Sequence, residues 1–476
     1  MNYNSPGVYI QDVKSNSQSI TQASSSIGAL IGATRSGIDG EAQLVTSFTE
    51  FINLYANGLD TPFMSNSALT YAVHGFFTNG GQQLYVGRVV SDSAKKATKT
   101  TESGITVTAK HKGTYGNDIK VKVVKSADYT ELNPIYDVTV LVGNSDSATV
   151  TEVTADTMVT KVLENTKIKN WLEEFTLDGD YTIKEEEIVL EGGADGVDDL
   201  TDNDFTEALA MFDFIDDVTF IAIPGQTSKV VNDALLAYCD NHTLFPILDM
   251  PMGSTVKATK EYRKTVSAKG GALVYPWGKM NDPLTNTLKL VPACGHTMGV
   301  YARTVEEVGI HKAPAGVNAV VRGFVEMETK LSQNDIAQLN PVGVVCITSR
   351  PNAGIVIWGA RGLNNDTTMK YVSDVLINYH IKKSLYNGTQ YAVFEPNDES
   401  LWSNVQATCK AFLESLRLQG TLKGTSDEAY FVTVDSSNNT EESINNGILN
   451  IEIGYAPVKP AEFVVIKLAH SIEATA

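Results

Sequence analysis

Hydrophobic positions along this chain change period several times, and each change marks a different kind of element. Ser5-Pro6-Gly7-Val8-Tyr9-Ile10-Gln11-Asp12-Val13 is a turn signal followed by a short β-prone run, and the polar stretch Lys14 to Ser26 separates it from the next apolar segment. Ile27 to Ala33 predicts a short buried strand. Ser47-Phe48-Thr49-Glu50 predicts a capping box that opens a helix to about Tyr55. A second helix is expected over Ser65 to Phe77, closed by Asn79-Gly80-Gly81, and Leu84 to Val90 predicts a strand.

From about Ser93 to Gly193 the pattern becomes short alternating runs rich in Thr, Val and Ile: Ile105 to Ala109, Ile119 to Val124, Tyr136 to Val142 and Glu186 to Leu190. One helix, near Met158 to Glu174, interrupts them. After Asp204 the rhythm is helix, strand, helix, strand. Phe205, Ala208, Leu209 and Phe212 share a helical face, and Val218–Ile223, Phe245–Met250 and Ala272–Trp277 read as buried strands between helices at Thr227–Asn241 and Thr255–Ala268. That alternation predicts a parallel sheet with crossover helices. The last third mixes strands at Val344–Thr348, Ile355–Gly359 and Ala429–Val434 with two long helices, about Met369–Asn387 and Asp398–Gln419, each stopped by glycine.

The expected fold is therefore mixed: a parallel α/β core domain (27–92 plus 194–343), an inserted β-rich domain (93–193), and a C-terminal α+β domain (344–476), preceded by an N-terminal strand arm and tether (1–26). Neither terminal strand has a hairpin partner nearby in sequence. At the front the run carries Val8, Tyr9, Ile10 and Val13; at the back Leu449, Ile451, Ile453 and Tyr455 alternate with polar residues, and Pro457 and Pro460 break the run before Phe463, Val465 and Leu468. Exchange of both terminal strands with neighbouring copies is expected. Ordering about eight arm residues costs on the order of 8–16 kcal/mol. Roughly six strand hydrogen bonds return about 3–9 kcal/mol, and burying Val8, Ile10, Val13 and part of Tyr9 about 6–10 kcal/mol. The near balance makes assembly conditional on several contacts forming together.

Composition narrows the chemistry. The net charge is −19, and between Glu173 and Asp217 seventeen acidic residues face Lys184 alone, which predicts one local acidic surface and opposes direct nucleic-acid binding. No apolar run is long enough to span a membrane, the first residues lack the pattern of a signal peptide, and Cys239, Cys294, Cys346 and Cys409 lie far apart as buried free thiols would. No catalytic, cofactor or metal residue is assigned. Gly225-Gln226-Thr227-Ser228-Lys229 follows a strand and precedes a helix but lacks P-loop glycine spacing; an α/β nucleotide-using enzyme is the rival from another class. Cys239 with His242, and Cys294 with His296, lack four-ligand zinc spacing, and Asp178-Gly179-Asp180 fails as an EF-hand because Ile183 and Val189 occupy the required glycine and glutamate positions. Trp277, Trp358 and Trp402 read as core.

Several landmarks, taken in order, resemble the sheath proteins of contractile bacteriophage tails and of related tail-like particles. These are Ser5-Pro6-Gly7-Val8-Tyr9, Phe76-Phe77-Thr78-Asn79-Gly80-Gly81, Tyr85-Val86-Gly87-Arg88-Val89, Tyr115-Gly116-Asn117, Gly192-Gly193-Ala194-Asp195-Gly196 and Ala313-Pro314-Ala315-Gly316, then Val356-Ile357-Trp358-Gly359-Ala360-Arg361, Phe394-Glu395-Pro396-Asn397 and Ala456-Pro457-Val458-Lys459-Pro460-Ala461-Glu462-Phe463. One departure stands out: Gly362 follows Arg361 where the family usually has Thr. The resemblance implies a non-enzymatic subunit that stacks as hexameric rings around an inner tube and contracts to drive the tube through a host envelope. It also implies partners in itself, the tail tube protein, and the baseplate and tail terminator proteins. It implies location in a virion tail assembled in the host cytoplasm, without membrane insertion, and an outward-protruding role for the 93–193 insertion. A charged helix of the C-terminal domain would contact the tube, and on Asp398–Gln419 the candidates are Lys410, Glu414 and Arg417. A headless bacteriocin-like particle fits the same motifs; a surface adhesion or coat protein would need an export signal.

Overall fold

The computed structural model describes residues 19–56, 59–143, 146–178 and 183–466. Val8, Tyr9, Ile10 and Val13 of the expected N-terminal strand lie outside these residues, as do the positions after Ile466. Residues 24–376 with 460–466 form one compact unit; residues 19–23 with 377–459 form the other.

The larger unit is organised by an eight-stranded sheet. Its order is Gly354–Ile357, Val344–Arg350, Ala272–Tyr275, Phe245–Asp249, Phe220–Ala222, Gly28–Gly32, Leu84–Arg88, Ala42–Val45. The six inner strands run parallel, and each outermost strand is antiparallel to its neighbour. Gly28 pairs with Phe220 on one side and Leu84 on the other, so Gly28–Gly32 is buried throughout, and its unbroken apolar run is the signature of a strand covered on both faces. Val344–Arg350 belongs to this sheet, with Leu273, Val274 and Tyr275 opposite Val344, Val345 and Cys346. The division expected at 344 is therefore displaced: Val344 to Ile347 are buried on both faces, and the sheet that buries them began at residue 28.

The helices of this unit follow from their caps. Ser47 accepts the Glu50 amide at 3.1 Å to open Phe48–Tyr55, while the Glu50 carboxylate reaches past the cap to the Thr46 amide at 2.7 Å. Thr255 accepts the Ala258 amide at 3.2 Å to open Val256–Thr265. The segment 98–189 forms two antiparallel sheets. One has three strands (Thr98–Thr100, Ile105–Ala109, Leu172–Leu177) and the other has four (Glu186–Val189, Ile119–Lys125, Tyr136–Val142, Asp146–Val153), around a core that includes Trp171, Phe175, Val121 and Val138. Its entry and exit are stitched together: the Lys95 amide donates to Ala194 O at 2.9 Å and the Ala194 amide to Lys95 O at 3.1 Å. Two of the landmarks complete this stitch. Asn117 exchanges two hydrogen bonds with the Gly193 backbone, at 3.0 and 2.8 Å, and Asp195 accepts from the amide and hydroxyl of Thr114, at 2.7 and 2.6 Å.

Two expectations change. The helix read over Met158–Glu174 is Ala155–Glu164, because the Asn165 side chain accepts the amides of Lys167 and Ile168 and starts a new turn; Leu172–Leu177 is then a strand. The acidity is not one surface. Glu173, Glu187 and Glu191 pair with Lys96, Lys122 and Lys99 on the small sheets, whereas Asp202, Asp204 and Glu207 lie on the helix Asp202–Glu207, outside those sheets.

One helix, Cys294–Glu307, has its first ten residues all buried, Gly295, His296 and Thr297 among them. It packs on Leu69–Thr78 with glycines at the contact. A Cβ on Gly295 would lie 2.4 Å from Ala72 O, one on Gly299 2.4 Å from Phe76 O, and one on Gly75 2.3 Å from His296 Nδ1. His296 is fully buried, stacked on Phe324 with ring centroids 3.9 Å apart, and neither ring nitrogen has a partner among the described residues. Burial, with a smaller contribution from His74, pushes its pKa down to about 3. A depressed folded-state pKa means stability that is present above the unfolded value near 6.5 and lost as pH falls toward 3. We expect wild type to lose more of its thermal midpoint between pH 7 and pH 5 than the non-titrating variant His296→Gln, measured by differential scanning calorimetry.

Candidate assembly surface

The motifs first weighed for chemistry are spent on structure. The Gly225 amide and those of Ala293 and Cys294 point at the buried Asp249 carboxylate, at 3.4, 3.0 and 2.9 Å, and Ser228 donates to Asp202 at 2.5 Å. Two carboxylates thus take up donors that a phosphate at Gly225–Lys229 would need. Burial raises Asp249 to about 6 against the pull of these donors. Cys239 is buried inside its helix while His242 stacks on Tyr238, and among the described residues no group of three His, Cys, Asp or Glu side chains is placed to hold a metal ion.

The smaller unit is built on the helix Glu399–Leu418. Asp398 caps it through the Leu401 amide at 2.9 Å, and its apolar face buries Leu401, Trp402, Val405, Cys409, Phe412, Leu413 and Leu416. The Trp402 indole donates to Asn397 Oδ1 at 2.7 Å, and Asn397 Nδ2 donates to Ile448 O at 3.1 Å, which accounts for Asn397 in its landmark. Phe394 of the same landmark is fully exposed at φ +68, a conformation a phenylalanine adopts at a cost. Periodicity gives no warning of it.

Beside this helix lies a sheet of only two strands, Tyr430–Thr433 and Glu452–Tyr455, with Tyr430, Phe431, Val432 and Thr433 opposite Tyr455, Gly454, Ile453 and Glu452. The expectation that nothing nearby in sequence pairs with the 449–455 run is thus corrected: Glu452–Tyr455 pairs with a strand about twenty residues upstream. Tyr430 and Val432 turn toward the helix, Tyr430 donating to Glu414 at 3.0 Å, while Phe431 is exposed and its ring lies over Gly454. Tyr455 donates to Asn378 at 2.8 Å; Leu449 and Ile451 precede the strand, half-buried. No third strand flanks either outer edge among the described residues.

The three candidates on the helix separate. Arg417 grips Glu414 through Nε at 2.8 Å and Nη2 at 2.6 Å, which lowers the carboxyl pKa and neutralises both on the surface. Lys410 stands exposed, between exposed Ala407 and Ala411.

The tail 460–466 belongs to the larger unit. Glu462 is turned inward: its Oε1 accepts from Asn340 Nδ2 at 2.6 Å and Arg361 Nε at 2.9 Å, and its Oε2 from Arg361 Nη2 at 2.8 Å and the Tyr371 hydroxyl at 2.9 Å. The ion pair is largely buried, with 13% of the Glu462 and 19% of the Arg361 side chain exposed. Gly362 is explained here, since a Cβ at this position would lie 2.6 Å from Gly271 O. Phe463, Val464, Val465 and Ile466 follow, 73–82% exposed.

This is a parallel α/β unit carrying antiparallel sheets between two of its strands, with an α+β unit toward the C-terminus. The phage tail sheath protein central domain matches residues 198–363, and the phage tail sheath C-terminal domain matches residues 364–469. The chain belongs to the phage tail sheath protein family, whose members are structural proteins and not enzymes. It is 24% identical over 251 residues to the tail sheath protein of Escherichia phage P2, a match that covers 52% of this chain and 62% of that protein. The chain thus spans about three-fifths of that relative. In fold it is similar to the PVC sheath complex of an extracellular contractile injection system in the contracted state (TM-score 0.64, 19% identity, 99% of each chain). It is also similar to the sheath tail protein of Desulfitobacterium hafniense (TM-score 0.64, 18% identity, 90% of this chain and 94% of that one).

Phe412→Ala is expected to destabilise the smaller unit by about 3–5 kcal/mol, whereas Lys410→Glu leaves the urea midpoint unchanged; denaturation followed by Trp402 fluorescence checks both.

Proposed function

We propose that this chain is the sheath subunit of a contractile tail, polymerising as stacked hexameric rings around an inner tube and shortening to drive the tube through a host envelope during genome delivery. The observation that carries this reading is the combination of a two-stranded sheet whose Glu452–Tyr455 edge has no further strand beside it among the described residues and a four-residue apolar tail, Phe463–Ile466, that nothing among the described residues of its own chain covers. Unflanked edges and exposed β-prone runs promote association, and a protein that keeps both has partners for them. In this reading the arm carrying Val8, Tyr9, Ile10 and Val13, and the run carrying Phe463 and Val465, extend the sheet of Ile453 and Tyr455 in neighbouring copies. The inserted sheets project outward. The remaining partners are the tail tube, baseplate and tail terminator proteins, and assembly takes place in the host cytoplasm. The fold shared with the sheath of an extracellular contractile injection system supports one alternative, the same polymer in a headless particle.

Removal of residues 1–13 is expected to leave a folded monomer and abolish ordered tubes in negative-stain electron microscopy; normal tubes refute strand exchange. At the tube, Lys410 is the residue of consequence, because Glu414 and Arg417 satisfy each other. Lys410→Glu is expected to weaken co-sedimentation of the tube protein with sheath, and Arg417→Glu to weaken it less.

A further inference from the structure

The apolar tail does not leave the molecule as a loose end. Its last anchored residue, Glu462, immediately precedes Phe463, the first exposed one. The groups that hold it are pre-positioned. Arg361 and Tyr371 are antiparallel bridge partners, with the Gly362 amide donating to Lys370 O at 2.9 Å and the Val372 amide to Ala360 O at 2.9 Å. Asn340 opens the short turn Asn340–Val342 that leads directly into Val344–Arg350, and Arg361 follows the antiparallel edge strand Gly354–Ile357. All three partners are therefore rooted beside the same two strands of the eight-stranded sheet. A guanidinium presenting two donors to one carboxylate, largely out of water and joined by two neutral donors, is among the stronger polar contacts a protein makes.

We propose that Glu462 with Arg361, Tyr371 and Asn340 is a clamp that fixes where the C-terminal strand departs for a neighbouring copy, so that tension on the strand is delivered to the large sheet. The inference rests on the strand exchange proposed above. Position is its distinctive feature. The clamp sits one residue before the strand and leaves no slack between them, whereas chain on the other side of Glu462, at Lys459 and Pro460, does not lie between the clamp and the strand.

Slack tests this directly. A Gly-Ser pair inserted after Glu462 keeps every clamp residue but uncouples it from the strand, and is expected to raise the concentration needed for polymer by about tenfold. The same pair inserted between Lys459 and Pro460 is expected to leave the threshold within about twofold of wild type. Glu462→Gln and Arg361→Met, alone and together, are expected to raise the threshold non-additively, and each single variant to lower the thermal midpoint of the monomer because its buried partner is left unpaired. Equal effects of the two insertions overturn the clamp, as does wild-type assembly of Glu462→Gln. Should Glu462→Gln fail to fold, the insertions, which retain Glu462, decide. A wild-type chain that forms no polymer under any condition refutes strand exchange itself, which distinguishes that failure from failure of the clamp alone.

Discussion

Burial of the parallel strands on both faces is the constraint from which the rest of this molecule follows. Gly28–Gly32, Phe220–Ala222, Phe245–Asp249 and Ala272–Tyr275 have no exposed residue, so both faces of the sheet are covered, and because these strands run parallel the connections between them cross over. A unit closed in this way is stiff. The insertion at 98–189 can be carried without disturbing the sheet because Lys95 and Ala194 tie its two ends together, so that the fold around it sees a short connection.

Much of this was legible in the chain. Continuous apolar runs placed the parallel strands, and alternation placed Ile105–Ala109 and Tyr136–Val142. What escaped was governed by tertiary context. Cys294–Glu307 was not anticipated because Gly295, His296 and Thr297 are buried along with its apolar residues, and Val344–Arg350 was assigned to the wrong domain because an apolar run does not say which sheet will take it. The pairing of Glu452–Tyr455 with Tyr430–Thr433 is non-local in the same sense. On the helix Glu399–Leu418, the sequence named Lys410, Glu414 and Arg417 as candidates but did not reveal that two of them pair with each other. It marked Glu462 and Arg361 as landmarks without revealing that they meet, about a hundred residues apart.

The described termini belong to different units: residues 19–23 lie with 377–459, and residues 460–466 with the α/β unit. In a polymer joined by both ends, each subunit is held through two separately folded bodies. Under the proposed function, contraction would leave such cores packed, since a sheet covered on both faces resists deformation.

The glycine contact between Leu69–Thr78 and Cys294–Glu307 has a genetic consequence. Any missense change at Gly75, Gly295 or Gly299 adds at least a Cβ, and at each position that atom would fall within 2.4 Å of a neighbour. The smallest step available there is already too large, so this seam is closed to gradual variation. Whatever diversity such subunits accumulate must be written elsewhere, on surfaces such as the inserted sheets, where a side chain can change without first moving a helix.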